Sequence, residues 1–276
     1  MKRHLWWIVC LAAVLVAPIS FAEEGHVHAR LVADAAELQG GESFLLGVLL
    51  EPDPGWHVYW RDPGEAGLAT EIAYDLPEGF EVGELQWPVP VSFDQPGGIA
   101  GFGYEEPVVL AAQITVPKRI PAATPVTLSA SWLACKDVCI LGSTELKADL
   151  PLRGSKLEAS KTALETWPGT LPTQAAPGPM DISVNGGPVP DSGSVDLVVW
   201  LNWTEAPGTV EFFPDPGPGL KVEGVHTQTR DLLTRIDFTI SRLKTSNAPA
   251  TSLRSLIVIE DLRGNRSAKI SHISID

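Results

Sequence analysis

Val126-Thr127-Leu128-Ser129-Ala130-Ser131-Trp132-Leu133-Ala134-Cys135 runs through Lys136-Asp137-Val138 into Cys139-Ile140-Leu141-Gly142-Ser143-Thr144-Glu145-Leu146-Lys147-Ala148-Asp149-Leu150, and the reading of this stretch decides the fold. Residues two apart on a strand share a face. Val126, Leu128, Ala130, Trp132 and Ala134 make an apolar face, and Thr127, Ser129, Ser131 and Cys135 fall on the other. After the second cysteine, Leu146, Ala148 and Leu150 alternate with Ser143, Glu145, Lys147 and Asp149, and Cys139 has the polar parity. Setting Cys135 opposite Cys139 leaves the loop Lys136-Asp137-Val138, and the same register sets Leu128 opposite Leu146 and Ser131 opposite Ser143. Both faces therefore agree with a single β-hairpin.

The segments before the hairpin read in the same way. Strands are expected over Ser43 to Leu50, Trp56 to Trp60 and Pro107 to Val116, separated by turns such as Glu51-Pro52-Asp53-Pro54-Gly55, which is the pattern of a β-sandwich. Trp56, Val58 and Trp60 share the expected core face of their strand, while His57, Tyr59 and Arg61 share the other. Ser155 to Thr166 lacks Gly and Pro and spaces Leu157, Ala163 and Leu164 for a short helix, ending at Trp167-Pro168-Gly169. Trp167 to Met180, rich in Pro, Gly, Thr and Ala, reads as a linker. Beyond it, strands at Val195 to Trp203, Thr209 to Phe213, Arg235 to Ile240 and Leu256 to Glu260 suggest a second small sandwich with no cysteine. The expected division is 1–22, 23–152, 153–180 and 181–276, in an all-β chain.

The N-terminus sets the compartment. Lys2 and Arg3 precede an apolar run from Leu5 to Val16, then Ser20-Phe21-Ala22, which reads as a cleaved secretory signal peptide over 1–22. The run is shorter than the roughly 20 residues a membrane span needs and is followed by Pro18. Later apolar runs are broken by charge, Gly or Pro, so no direct membrane insertion of the mature chain is expected. The whole chain has 34 acidic against 20 basic residues, a formal charge of -14, and losing Lys2 and Arg3 makes it more negative still. Such a charge repels nucleic acid and anionic membrane surfaces.

Of three cysteines, Cys10 goes with the signal, leaving Cys135 and Cys139 in an oxidising compartment where a disulfide is expected. Facing side chains in a non-hydrogen-bonded pair sit about 4.5–5.5 Å apart at Cβ, only slightly wider than a disulfide wants. Closing a loop of about five residues removes on the order of 2 kcal/mol of chain entropy, so the bond is a poor staple. Exposed disulfides also tend to be the reactive ones, which favours redox exchange over a structural role. Lys136 favours a thiolate at Cys135 and Asp137 opposes it, a balance the sequence leaves open. A non-catalytic binding or copper-handling adaptor with a structural disulfide is the alternative, and a third reading is copper binding by the two thiolates with His26, His28 or His57 as further ligands. No resident cofactor or metal is expected from the redox reading. The hydrolase and phosphate-binding signatures Gly-x-Ser-x-Gly, His-Glu-x-x-His and the P-loop are absent from the sequence.

Four segments together resemble the periplasmic N-terminal domain of the DsbD-type disulfide reductases, including the copper-tolerance branch called ScsB. They are His26-Val27-His28-Ala29-Arg30-Leu31-Val32, Pro54-Gly55-Trp56-His57-Val58-Tyr59-Trp60-Arg61-Asp62-Pro63-Gly64, Phe102-Gly103-Tyr104-Glu105 and Trp132-Leu133-Ala134-Cys135-Lys136-Asp137-Val138-Cys139-Ile140. The resemblance implies an immunoglobulin-like sandwich in the periplasm and a redox dithiol of Cys135 and Cys139, with Cys139 forming the mixed disulfide. It implies partners too, a membrane-embedded thiol reductase as donor and thioredoxin-like periplasmic proteins as acceptors. By the same resemblance His57 and Tyr59 flank the dithiol, and the loop from Asp94 to Glu106 caps it through Phe102 and Tyr104. Family members commonly continue into a membrane region and a thioredoxin-like domain, whereas this sequence stops at Asp276, so the membrane reductase is expected to be a separate protein. Leu141 stands where relatives often carry Pro.

Overall fold

The computed structural model describes residues 25–95, 98–173, 178–179, 181–217, 219–243 and 251–275. The expected signal peptide, Pro96-Gly97 and most of the expected linker after Thr173 lie outside the described residues.

Alternating and β-branched segments give strands β1 (Val27–Ala33), β2 (Ser43–Pro52), β3 (His57–Gly64), β4 (Glu71–Asp75) and β5 (Glu81–Gln86). They continue as β6 (Val91–Gln95), β7 (Ile99–Tyr104), β8 (Val108–Thr115), β9 (Pro125–Cys135) and β10 (Cys139–Asp149). A helix, α1 (Gly154–Glu165), and a 3-10 turn (Trp167–Thr170) follow. The last third holds β11 (Asp181–Asn185), β12 (Ser194–Asn202), β13 (Thr209–Asp215), β14 (Leu220–Arg230), β15 (Leu233–Arg242), β16 (Ser252–Glu260) and β17 (Arg266–Ser274).

The first sandwich sets the sheet β1-β2-β8-β5 against the sheet β10-β9-β3-β7-β6, with β4 also paired to β9. Val48, Leu50, Leu110 and Ile114 meet Val58, Leu128, Trp132 and Ala134 in the core between them. Strand β8 reads as a nearly unbroken apolar run because both of its faces are covered. Val108 and Leu110 face that core, while Val109 and Ala111 pack under Leu164 of α1 and Trp167. Trp167 donates its indole N–H to the Val109 carbonyl at 2.8 Å, so the segment expected to begin a linker begins as a packed turn. Composition suggested otherwise because one buried Trp outweighs several small residues in packing.

The second sandwich sets β11-β12-β15-β14 against β13-β16-β17. Val210, Phe212, Ile257 and Ile259 turn inward onto Leu197, Val199, Ile236 and Phe238. The alternate residues of the three-stranded sheet, Phe213, Leu256, Val258 and Ala268, join the core of the first sandwich instead. Phe213 meets Trp60 and Phe102 edge-on, at ring separations of 6.3 and 5.1 Å. Beside this apolar seam the Asp215 carboxylate pairs with Arg61 and, at 3.2 Å, with Arg254. The two sandwiches thus share a core rather than standing apart.

Candidate functional site

Among the described strands β10 is the edge of its sheet and pairs with β9, in the register Cys139 to Cys135, Ser143 to Ser131 and Leu146 to Leu128. Parity had required this register. Gly142 faces Trp132, and a Cβ there would lie 2.4 Å from the indole nitrogen, so glycine makes room for the largest buried side chain of the hairpin. At the tip the two cysteines form a disulfide with their Cα atoms 4.1 Å apart. The two sulfurs have different surroundings: Cys135 is 3% exposed, whereas Cys139 is exposed.

What buries Cys135 is strand β3, whose His57 is its register partner on the side away from β10. Two residues on, the Tyr59 hydroxyl lies 3.3 Å from Cys135 Sγ, 3.2 Å from Gln95 Oε1 and 3.4 Å from His57 Nε2. With its proton on Nε2, His57 donates to the Tyr59 oxygen, and the single tyrosine proton is shared between the sulfur and the Gln95 carbonyl. Gln95 is held in turn by donating its Nε2–H to the Ala66 carbonyl at 3.2 Å. Phe93 stacks at a tilt on His57, 4.0 Å between centroids, and meets Tyr59 edge-on at 5.8 Å. Gly67, at φ +121, covers the tyrosine ring so closely that a Cβ would sit 2.4 Å from it. Tyr59 is consequently fully buried. Burial raises its pKa and lowers that of His57, so both stay neutral near pH 7, as a phenol donor and an imidazole.

His57 and Tyr59 are therefore brought to the cysteines, but Phe102 and Tyr104 are not. On β7 the register sets Tyr104 beside Val58 and Gly103 beside Tyr59, so Phe102 and Tyr104 point to the core face and the glycines to the cysteine face. Phe102 packs on Phe213, and Tyr104 is buried with its hydroxyl donating to the Pro88 carbonyl at 2.8 Å. The stretch expected to be a loop is the hairpin β6–β7, and the aromatic it places over the site is Phe93. Gly101 is required there, since a Cβ would come within 2.3 Å of both Phe93 and Gln95. Phe93 and Gln95 were missed, although Val91-Ser92-Phe93-Asp94-Gln95 alternates as a strand should.

His26 and His28 gather elsewhere. His26 stacks on Trp56 at 3.8 Å and places Nδ1 2.9 Å from Asp53, and His28 Nε2 lies 3.5 Å from the same carboxylate. Lys136 reaches back to the Pro54 carbonyl at 3.3 Å. Among the described residues, no group of three or more His, Cys, Asp or Glu is arranged to hold a metal ion.

An all-β, immunoglobulin-like sandwich that offers one exposed cysteine of a hairpin disulfide and buries the other beside a tyrosine has the layout of a thiol–disulfide interchange domain. Residues 29–151 match the family model described as thiol:disulfide interchange protein DsbD, N-terminal, which supports a DsbD-type N-terminal domain over that part of the chain. The whole fold is similar to the crystal structure of the N-terminal periplasmic domain of ScsB from Proteus mirabilis, with TM-score 0.64 and 19% identity, covering 94% of this chain and 97% of that one. A marsupial T cell receptor aligns over 88% of this chain and 100% of its own at 11% identity, but its TM-score of 0.21 carries no argument. No curated protein matches the sequence. Among the described residues no helix is long and apolar enough to cross a membrane.

Proposed function

We propose that this protein relays reducing equivalents in the periplasm, from a membrane-embedded thiol reductase to thioredoxin-like disulfide proteins, through Cys135 and Cys139. The observation that carries the reading is the asymmetry of the disulfide, an exposed Cys139 bonded to a buried Cys135 that lies within reach of the Tyr59 hydroxyl. A donor thiolate attacks Sγ of Cys139, the Cys135–Cys139 bond breaks, and Cys135 leaves as a thiolate. The Tyr59 O–H stabilises that buried anion, since hydrogen bonds to charged groups are the stronger ones. The second donor thiolate then attacks the mixed disulfide and releases Cys139. Two electrons have passed, the donor dithiol is oxidised, and two protons complete the Cys135 and Cys139 thiols. Running the same steps backward reduces an acceptor. Residues 1–22 serve as the export signal in this scheme.

Equilibration in graded dithiothreitol buffers, with free thiols counted by alkylation and mass, tests the reading. A reversible two-electron transition is expected. A disulfide that resists strong dithiol reductants in the folded protein would favour the adaptor with a structural bond.

A further inference from the structure

Exchange at a disulfide has a direction. The incoming electron pair enters the S–S antibonding orbital from behind, so attacking, central and leaving sulfurs lie nearly on one line. Cys135 sits on β9, and its far side is occupied by β3, with His57 in register and Tyr59 fully buried. A thiolate aimed at Sγ of Cys135 would have to come through that strand. Sγ of Cys139 is approached instead from the side away from β9, over β10, which is the sheet edge. Exposed apolar side chains stand around that approach among polar ones, Lys136 and Asp137 in the loop and Glu71 on the outer face. Val138 is 60% exposed and Leu141 69%, and Leu141 shares the face of Cys139, about 7 Å along the strand. Across the outer face of β4, β9 and β10, a groove of about 380 Å³ runs from Leu141 past Ser131 and Ser143 to Leu68, itself 55% exposed.

We propose that the redox partner enters over β10 at Cys139, on the hairpin-tip side of the point where Gly25 approaches Gly142, and seats an apolar side chain, carried beside its reactive cysteine, in the groove between Leu141 and Leu68. The occupant is fixed by the chemistry. A sulfur that bonds to Cys139 must come within bonding distance, so the protein carrying it covers the surface next to Cys139. The inference rests on the exchange reading above and adds where the partner docks and by what contact. Glutamine at Leu141 or Leu68 removes the apolar wall without adding charge near the sulfur, and both sites are exposed enough to keep the fold.

The test compares second-order rates of disulfide reduction by thioredoxin and by dithiothreitol, in the wild type and in Leu141→Gln, Leu68→Gln and Leu262→Gln. Leu262 is 86% exposed, in the turn between β16 and β17 of the other sandwich. Thioredoxin is expected to react faster than dithiothreitol at equal dithiol concentration. Leu141→Gln should slow thioredoxin about tenfold, the size of one lost apolar anchor. Leu68→Gln should slow it several-fold, Leu262→Gln should leave it unchanged within twofold, and all variants should keep the wild-type dithiothreitol rate. A thioredoxin rate indifferent to both groove variants, slowed equally by Leu262→Gln, or no faster than dithiothreitol in the wild type would overturn the docking surface and leave exchange standing. A wild-type disulfide that neither reagent reduces would overturn the exchange reading, and the surface with it.

Discussion

The hairpin tip and the seam between the sandwiches are both built on adjoining residues of strand β3, and they solve opposite problems. At the tip, His57 and Tyr59 surround a sulfur that is buried on one side only, because its bonded partner Cys139 faces solvent. At the seam, Trp60 is buried against Phe213, and Arg61, partly exposed, pairs with Asp215. Burial at the tip tunes chemistry and leaves an entrance. Burial at the seam holds two sheets together. Substitutions at the seam should therefore change stability without changing exchange, and substitutions at the tip should change exchange far more than stability.

The largest effect is expected from separating the sandwiches. We propose that residues 181–276 form a domain with a core of its own, centred on Leu197, Val199, Ile236 and Phe238. That fragment should melt cooperatively but well below the full chain, and should bind a hydrophobic dye through the uncovered Phe213, Leu256 and Val258. A fragment with a disordered circular-dichroism spectrum would mean that the second sandwich exists only on the first. Next in size, Phe213→Ala in the full chain should lower the unfolding free energy by about 3–5 kcal/mol in urea titration. The dithiothreitol rate of its folded fraction should match wild type, and a tenfold slower rate would erase the distinction between seam and tip.

Asp62 stands near the seam and sharpens the comparison through pH. Burial, opposed by the Gly64 N–H, raises its pKa to about 6 from 3.8. Folded protein then holds a proton that unfolded protein has lost, so stability falls as pH rises from about 4 to about 6 and is level above that. Asp62→Asn, which keeps an acceptor for Gly64, should stabilise by about 2 kcal/mol at pH 7 and by nothing at pH 3. Equal effects at both pH values would show that the carboxylate is not ionised against its surroundings. The smallest stability change belongs to the tip. Tyr59→Phe should cost about 1 kcal/mol of stability yet slow reduction by dithiothreitol about tenfold, because the leaving thiolate loses its donor. A rate within twofold of wild type would remove Tyr59 from the mechanism.

These two regions also mark what the sequence discloses. The hairpin was legible because strand parity is strict, and Cys135 opposite Cys139 satisfied both faces at once. The flanking pair His57 and Tyr59 was legible only through resemblance, since nothing local says that β3 lies beside β9. The resemblance pointed to Phe102 and Tyr104 as the aromatics over the site, whereas the structure places Phe93 there, and the glycines at 101 and 103 belong to a strand rather than a loop. Their actual reason is steric: Phe93, Gln95 and the Val58 carbonyl come too close for any Cβ. The seam was illegible for a related reason. Phe213, Leu256 and Val258 alternate with inward residues into a run apolar on both faces, and such a run does not say what covers its second face.

The claim that most needs testing is that Cys139 and not Cys135 exchanges, and one rate comparison addresses it. Cys135→Ser and Cys139→Ser, each keeping one thiol, would be mixed with a single-cysteine thioredoxin activated as its thionitrobenzoate disulfide, and adduct formation followed by dye release. Access governs exchange along with thiolate fraction, and Cys139 is exposed while Cys135 is 3% exposed beneath β3 and Tyr59. Cys135→Ser should form adduct at least about tenfold faster than Cys139→Ser. Equal rates, or a faster Cys139→Ser, would contradict the assignment of Cys139 as the exchanging sulfur.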